Sequence, residues 1–297
     1  MSSKAKINDP DLFLSMNDLE LVAQGIVEGA LHGMHRSPYV GFSVEFESHR
    51  EYQFGDDLRH VNWNLWARTN ELFVKQFKCD TNLNLYLLMD ISGSMLCANG
   101  PAPKWEYAAR AAAALGFLSI GKRDAAGITL LHGKVKDHLP AALKPNQLEN
   151  LIYILENPHT EGEADISLAL KDVAMLCQRR GIVVLFSDFF DNEEQLLRGL
   201  SELRFMGHEV LVVHILDPYE LALPETGNYE FVDLEKGVKV KASCSQLRES
   251  YGRIVSEWQE NIRVNCQKIG VDYLFCTTAD PLRDLLIDYL NKRTEVL

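Results

Sequence analysis

The chain is poor in basic residues: 30 lysines and arginines stand against 42 aspartates and glutamates, a net charge of −12. An electrostatic nucleic-acid binder needs a basic face, so nucleic acid is excluded as the expected partner. Cysteine is sparse too. The six (Cys79, Cys97, Cys177, Cys244, Cys266 and Cys276) form no Cys-x-x-Cys pair and keep no ordered spacing. Several lie inside apolar patterns, which reads as reduced core thiols of a cytosolic protein. A long hydrophobic run is also missing. The N-terminal MSSKAKINDPDLF has no signal-peptide core, and the apolar stretch Ala108–Ile120 is interrupted by Arg110 and too short to span a bilayer. The expectation is a cytoplasmic protein with no membrane anchor of its own. Finally, the chain carries no Gly-x-Gly-x-x-Gly, no Gly-x-x-x-x-Gly-Lys-Ser/Thr, no Gly-x-Ser-x-Gly and no His-Glu-x-x-His, which removes the common nucleotide, hydrolase and zincin signatures.

What is present is an ordinary globular composition over 297 residues, 46% hydrophobic and 24% charged. The stretch that organises it is LNLYLLMDISGSM, from Leu83 to Met95. Leu85–Met89 is an unbroken apolar run of strand length, as expected for a strand buried on both faces of a parallel sheet. It stops at Asp90, and Ser92, Gly93 and Ser94 follow. One carboxylate and two hydroxyls around a tight loop converge oxygen ligands suited to a hard cation such as magnesium. Sites in open α/β sheets also lie at the carboxyl ends of strands. The simpler alternative is a turn whose carboxylate accepts backbone amides.

Strands and helices then alternate, which predicts a doubly wound, mostly parallel sheet flanked by helices. Helices are expected at 105–120, 145–155, 166–177, 193–205 and 245–268, with a closing one at 282–289. Strands are expected at 127–131, 181–188, 209–216 and 272–276, with 135–139 an antiparallel neighbour and 229–240 an inserted hairpin. The strand Gly181–Asp188 also ends in an acid, so Asp188 can meet Asp90, Ser92 and Ser94 on one sheet edge. Ahead of the sheet, Ser15–Asp18 opens a helix that continues to about Gly33. Phe42–Phe46 and Leu72–Phe77 read as strands. Between them Gly55-Asp56-Asp57 caps a short helix carrying Leu58, Val61 and Leu65. Here Arg59, Trp63, Trp66 and Arg68 offer a protein-binding surface. Alternatively, the arginines pair with Asp56, Asp57, Glu45 or Glu47 and pin the region in place. Residues 1–80 are thus an N-terminal helix-plus-strand region and 81–297 the sheet domain.

Asp90-Ile-Ser-Gly-Ser94 resembles the metal-ion-dependent adhesion site of von Willebrand factor type A domains, Asp-x-Ser-x-Ser. The upstream segment resembles the signature of the domain of unknown function 58 family at Ser37, Gly41, Glu45-Phe46, Arg50, Tyr52, Gly55-Asp56-Asp57, Arg59, Trp63 and Ala67-Arg68. One departure is Asn62, where that family typically has aspartate. The resemblance implies a von Willebrand factor type A-like, Rossmann-like fold, and a divalent cation, magnesium first, at Asp90, Ser92, Ser94 and Asp188. It also implies a threonine ligand at the position taken by Ala164, so the expected cation affinity is weak. Thr160, Glu163 and Asp165 are the possible substitutes. Implied too is a bacterial adaptor role beside a MoxR-type AAA+ ATPase in complex assembly or maturation. The alternative is a magnesium-dependent, phosphatase-like hydrolase using Asp90 and Asp188. No general base accompanies them in the sequence, so a non-enzymatic binding role is the primary expectation.

Overall fold

The computed structural model describes residues 44–51, 65–66, 68, 71–79, 83–158, 166–190, 192–232 and 238–287, together with Ala23. Residues 36–82 form one compact unit, and residues 1–35, Ala23 among them, fall with 83–297 in the other.

In the first unit, β1 (Val44–Glu51) pairs antiparallel with β2 (Phe73–Cys79), with an irregularity between Phe46 and Ser48. β1 runs further than the apolar alternation predicts, because main-chain pairing with β2 continues to Glu51↔Phe73. Leu65, Trp66 and Arg68 are helical, as expected, and Trp66 and Arg68 are exposed. Arg59, Trp63 and most of the segment's signature positions lie outside the described residues, as does the N-terminal helix except for Ala23, which is helical and buried.

In the second unit β3 (Asn84–Asp90) is followed by a 3₁₀ turn (Gly93–Leu96), α1 (Lys104–Gly121), β4 (Ala125–His132) and β5 (Lys134–Ala142). Next come α2 (Gln147–Glu156), α3 (Ile166–Leu176), β6 (Ile182–Ser187), α4 (Glu193–Phe205) and β7 (Glu209–Leu216). The short α5 (Pro218–Leu221) precedes the hairpin β8 (Asn228–Val232) and β9 (Lys239–Ser243). Then follow α6 (Cys244–Lys268) and β10 (Asp272–Thr277). Residues 282–287 are helical, and the rest of the expected closing helix is outside the described residues.

Six strands form one sheet in the order β10-β7-β6-β3-β4-β5. All neighbours are parallel except β5, which returns antiparallel along β4. β3 sits inside the sheet, and all seven of its residues are buried. Its side chains alternate between two cores. Leu85, Leu87 and Met89 pack in a cluster with the alanines of α1, while Tyr86 and Leu88 join a second cluster with residues of α3, α4 and α6. This explains a run with no polar partner residue. Ala108, Ala109 and Ala111–Ala114 are all buried, and such small side chains let α1 lie close against the sheet. The five described cysteines outside β2 are free thiols, four of them buried. Among the described residues, no helix is long and apolar enough to cross a membrane.

Candidate functional site

Because β3 and β6 are parallel with Met89 opposite Phe186, Asp90 comes level with Ser187, and Asp188 lies one residue beyond the strand end. The sheet register therefore brings the two sequence-predicted carboxylates to one edge. Asp90 and Asp188 are both buried, at 0% and 2% exposure.

Asp90 Oδ1 accepts the Ser92 amide at 2.8 Å, and Oδ2 accepts the Ser187 hydroxyl at 2.7 Å. Ser187 Oγ in turn accepts the Phe189 amide at 3.1 Å. Ser92 Oγ and Ser94 Oγ are 3.0 Å apart. The loop thus holds the turn hydrogen bond of the simpler reading, but Ser92 does not cap the 3₁₀ turn with its side chain. Nor does Gly93 adopt a left-handed backbone; it is the first residue of that turn. Both donors to Asp90 are neutral groups. Burial, and secondly the charge of Asp188, raise its pKa to about 7, against the pull of those donors.

Asp188 has a different environment. Its Oδ2 accepts from Lys104 Nζ at 2.7 Å, and Oδ1 accepts the Phe190 amide at 3.2 Å. The same ammonium donates to Glu220 Oε1 at 2.6 Å and lies 5.0 Å from the centroid of the Phe190 ring. Lys104 is the first residue of α1 and fully buried, a place where both desolvation and the helix dipole oppose a cation. Burial alone would lower its pKa. Asp188 and Glu220 outweigh that and hold it above the ordinary lysine value, so the side chain stays charged. Glu220 is raised by burial, with Lys104 pulling it back.

Glu220 is fixed by its own helix start. Asp217, just past β7, caps α5: its Oδ1 accepts the Tyr219 amide at 2.9 Å, while Glu220 Oε2 accepts the Asp217 amide at 2.7 Å. Asp217 Oδ2 also accepts the Gly100 amide at 2.6 Å, tying the loop before α1 to the same edge. A β-carbon on Gly100 would fall 2.8 Å from Thr278 Oγ1 and 2.9 Å from Pro218 Cδ, so the approach is close.

Beneath the edge, His214 of β7 bonds the Asp188 carbonyl through Nε2 at 3.1 Å and Tyr273 Oη through Nδ1 at 2.7 Å. Burial lowers its pKa to about 4, so at neutral pH the ring donates to the carbonyl and accepts from the phenol. Phe189 adopts φ 59° with its ring buried, an uncommon conformation for a bulky residue. Phe190 turns outward, half exposed, and stacks on Trp258 of α6 at 5.2 Å.

Asp90, Ser92, Ser94 and Asp188 therefore gather at one edge as oxygen donors, a set whose chemistry suits a hard cation. Asp90 is a buried carboxylate with only neutral donors, which fits a cationic partner. Asp188 already has one. Thr160, Glu163, Ala164 and Asp165 lie outside the described residues, so the expected third loop is not placed. Lys104, Ser187, His214 and Glu220 escaped the sequence reading. Only Glu220 had a readable signal, the Asp-Pro-x-Glu helix start at the end of a strand.

The fold and strand-end loop together define a von Willebrand factor type A-like domain. The family described as "Protein of unknown function DUF58" matches residues 48–261, and the chain belongs to that family. The matched segment begins after Ser37, Gly41 and Glu45-Phe46 of the signature. An uncharacterized protein of Mycobacterium tuberculosis is 30% identical over 97% of this chain and 90% of its own length. Among solved structures, the conserved hypothetical protein BatB from Bacteroides thetaiotaomicron is similar at a TM-score of 0.50 and 15% identity, covering 72% of this chain and 99% of that one. The SpRpn10 VWA domain is similar at 0.45 and 12% identity, covering 69% and 93% respectively.

Proposed function

We propose that this protein is a non-enzymatic adaptor that binds other proteins through the strand-end face around Asp90, Ser92, Ser94 and Asp188. The supporting observation is the convergence of these donors around a buried carboxylate whose hydrogen-bond donors are all neutral. In this reading a divalent cation, magnesium first, binds there weakly and keeps exchangeable waters, one of which yields to an acidic side chain of the partner. The family resemblance makes a MoxR-type AAA+ ATPase the partner to try first, with the pair acting in assembly or maturation of a protein complex in the cytoplasm.

Binding is favoured over turnover because the titratable groups in contact with Asp188 are engaged. His214 uses both ring nitrogens, and Lys104 is held protonated by two carboxylates. Neither is positioned as a free base.

The test is a pull-down with the cognate ATPase, with and without chelator, using wild type, Ser92→Ala and Trp66→Ala. Loss with chelator and in Ser92→Ala supports the cation-bridged face. Binding that survives both but fails in Trp66→Ala moves the docking surface to the Arg59, Trp63, Trp66 and Arg68 segment. A screen of phosphatase, esterase and nucleotidase substrates completes it: metal-dependent hydrolysis lost in both Asp90→Ala and Asp188→Ala would establish the hydrolase alternative.

A further inference from the structure

We infer that Lys104 is a built-in counter-ion that competes with a divalent cation for Asp188, and that Glu220 receives the ammonium when Asp188 is given up. This rests on the cation reading of the Asp90 loop. Both oxygens of Asp188 are in use, one by Lys104 Nζ and one by the Phe190 amide. Each carboxylate oxygen keeps a second lone pair, so a cation seated on Asp90, Ser92 and Ser94 reaches Asp188 without evicting the amide, but it meets a buried ammonium of like charge 2.7 Å from the same carboxylate. The amide is fixed by the backbone turn that carries Phe189 at φ 59°. The ammonium sits on a flexible stem and has a second carboxylate 2.6 Å away.

Releasing Lys104 from Asp188 therefore need not strand a buried charge, the outcome that makes breaking such pairs costly. Glu220 is held ready through its bond to the Asp217 amide and is 18% exposed against 2% for Asp188, so it is the better-hydrated partner. Phe190 covers the ammonium from the solvent side and is itself half exposed, backed by Trp258. The arrangement gives the edge two states: ammonium shared between Asp188 and Glu220, or cation on Asp188 with ammonium on Glu220 alone. A purely architectural ion pair has no second state: its removal would shift cation affinity only by the lost charge, and the effect of altering Glu220 would be the same with and without Lys104.

Titration calorimetry with magnesium and with manganese on wild type, Lys104→Met, Glu220→Gln and the double variant separates these. Lys104→Met is expected to bind about tenfold more tightly, since a unit positive charge and a competitor leave together. Glu220→Gln, which keeps the Lys104–Asp188 bond and removes the alternative seat, is expected to bind more weakly than wild type. In the double variant the Glu220→Gln penalty should shrink, whereas simple loss of a negative charge would carry over unchanged. Should Lys104→Met not fold, Glu220→Asp, which keeps the charge but withdraws the carboxylate from the ammonium, decides the matter: weaker cation binding supports the competition and wild-type affinity overturns it. Cation binding that Asp90→Asn abolishes, but that Lys104→Met and Glu220→Gln leave at wild-type affinity, overturns the competition and leaves the cation reading standing. Titrations flat for wild type and every variant overturn both. Binding seen in Lys104→Met but not in wild type supports the competition in its strongest form.

Discussion

Replacing Lys104 by methionine removes the ammonium but keeps most of the side-chain volume, so the perturbation is chiefly electrostatic. Nζ is fully buried, with acceptors at 2.7 Å on Asp188 and 2.6 Å on Glu220. Without it, two carboxylates that are 2% and 18% exposed face each other uncompensated. Removing one partner from a buried pair costs about 3–5 kcal/mol. That is a large share of a domain stability of about 5–15 kcal/mol, yet within it, so the variant should fold and melt early. Glu220→Gln leaves the ammonium on Asp188 and retains an amide oxygen for the Asp217 amide. Its expected cost is about 1.5–3 kcal/mol, because the amide nitrogen that replaces the other oxygen cannot accept from Lys104. The two substitutions should not add, because Glu220→Gln in the Lys104→Met background removes a charge that has lost its partner. A coupling of about 1–3 kcal/mol is expected. Equilibrium urea unfolding, followed by far-UV circular dichroism, measures all three. If Lys104→Met lies within about 1 kcal/mol of wild type and shows no coupling, the ammonium is solvated in the folded protein and the counter-ion argument fails.

Ser187→Ala should cost about 1–3 kcal/mol by urea unfolding, since Asp90 Oδ2 and the Phe189 amide both lose a buried partner; an unchanged midpoint would mean that water replaces the hydroxyl. His208 is buried, bonds the Cys177 carbonyl at 3.1 Å, and has its pKa held below 6.5 by burial. The unfolded chain therefore takes up that proton first, and stability present above pH 6.5 is drawn down below it. His208→Gln should make the loss below pH 6.5 shallower, and parallel curves for the two proteins would refute the assignment. Gly127→Ala places a β-carbon 2.4 Å from the Ala141 amide nitrogen and 2.6 Å from the Leu139 carbonyl oxygen, both main chain of the antiparallel edge strand. It should lower the melting temperature and loosen the β5 amides in hydrogen exchange before those of β6.

The sheet was legible because its strands differ in kind. Leu85–Met89 and Ile182–Phe186 are apolar without interruption, which only a strand covered on both faces requires. Val135–Leu139 is interrupted by lysine, aspartate and histidine, as suits an edge strand, and it is indeed the antiparallel one. β1 was less legible: Phe42, Val44 and Phe46 mark a start, but nothing apolar follows to mark Glu51, where main-chain pairing ends. α5 was not seen at all. Four residues are too few for a periodic pattern, and only its capping pair Asp217 and Glu220 stands out.

The site divides along a similar line. Asp90, Ser92 and Ser94 are neighbours in sequence, and Asp188 ends the next parallel strand over, so motif and topology together bring them to one edge. The counter-ion obeys neither rule. A lysine opening a helix reads as a solvated side chain, because the dipole and the desolvation penalty both argue against burying it there. It is buried because Asp188 arrives from β6 and Glu220 from beyond β7, at sequence separations of 84 and 116 residues. A local pattern can name the oxygens that a cation would meet. It cannot say which of them are already neutralised, since that depends on charges delivered by distant strand ends. For Asp90 the donors are neutral and burial, with the charge of Asp188, raises the pKa to about 7, whereas for Asp188 a lysine stands 2.7 Å away. Two aspartates that look equivalent in the sequence are therefore unequal in the fold, and any cation bound at this edge must meet Asp90 among neutral donors and Asp188 beside an ammonium.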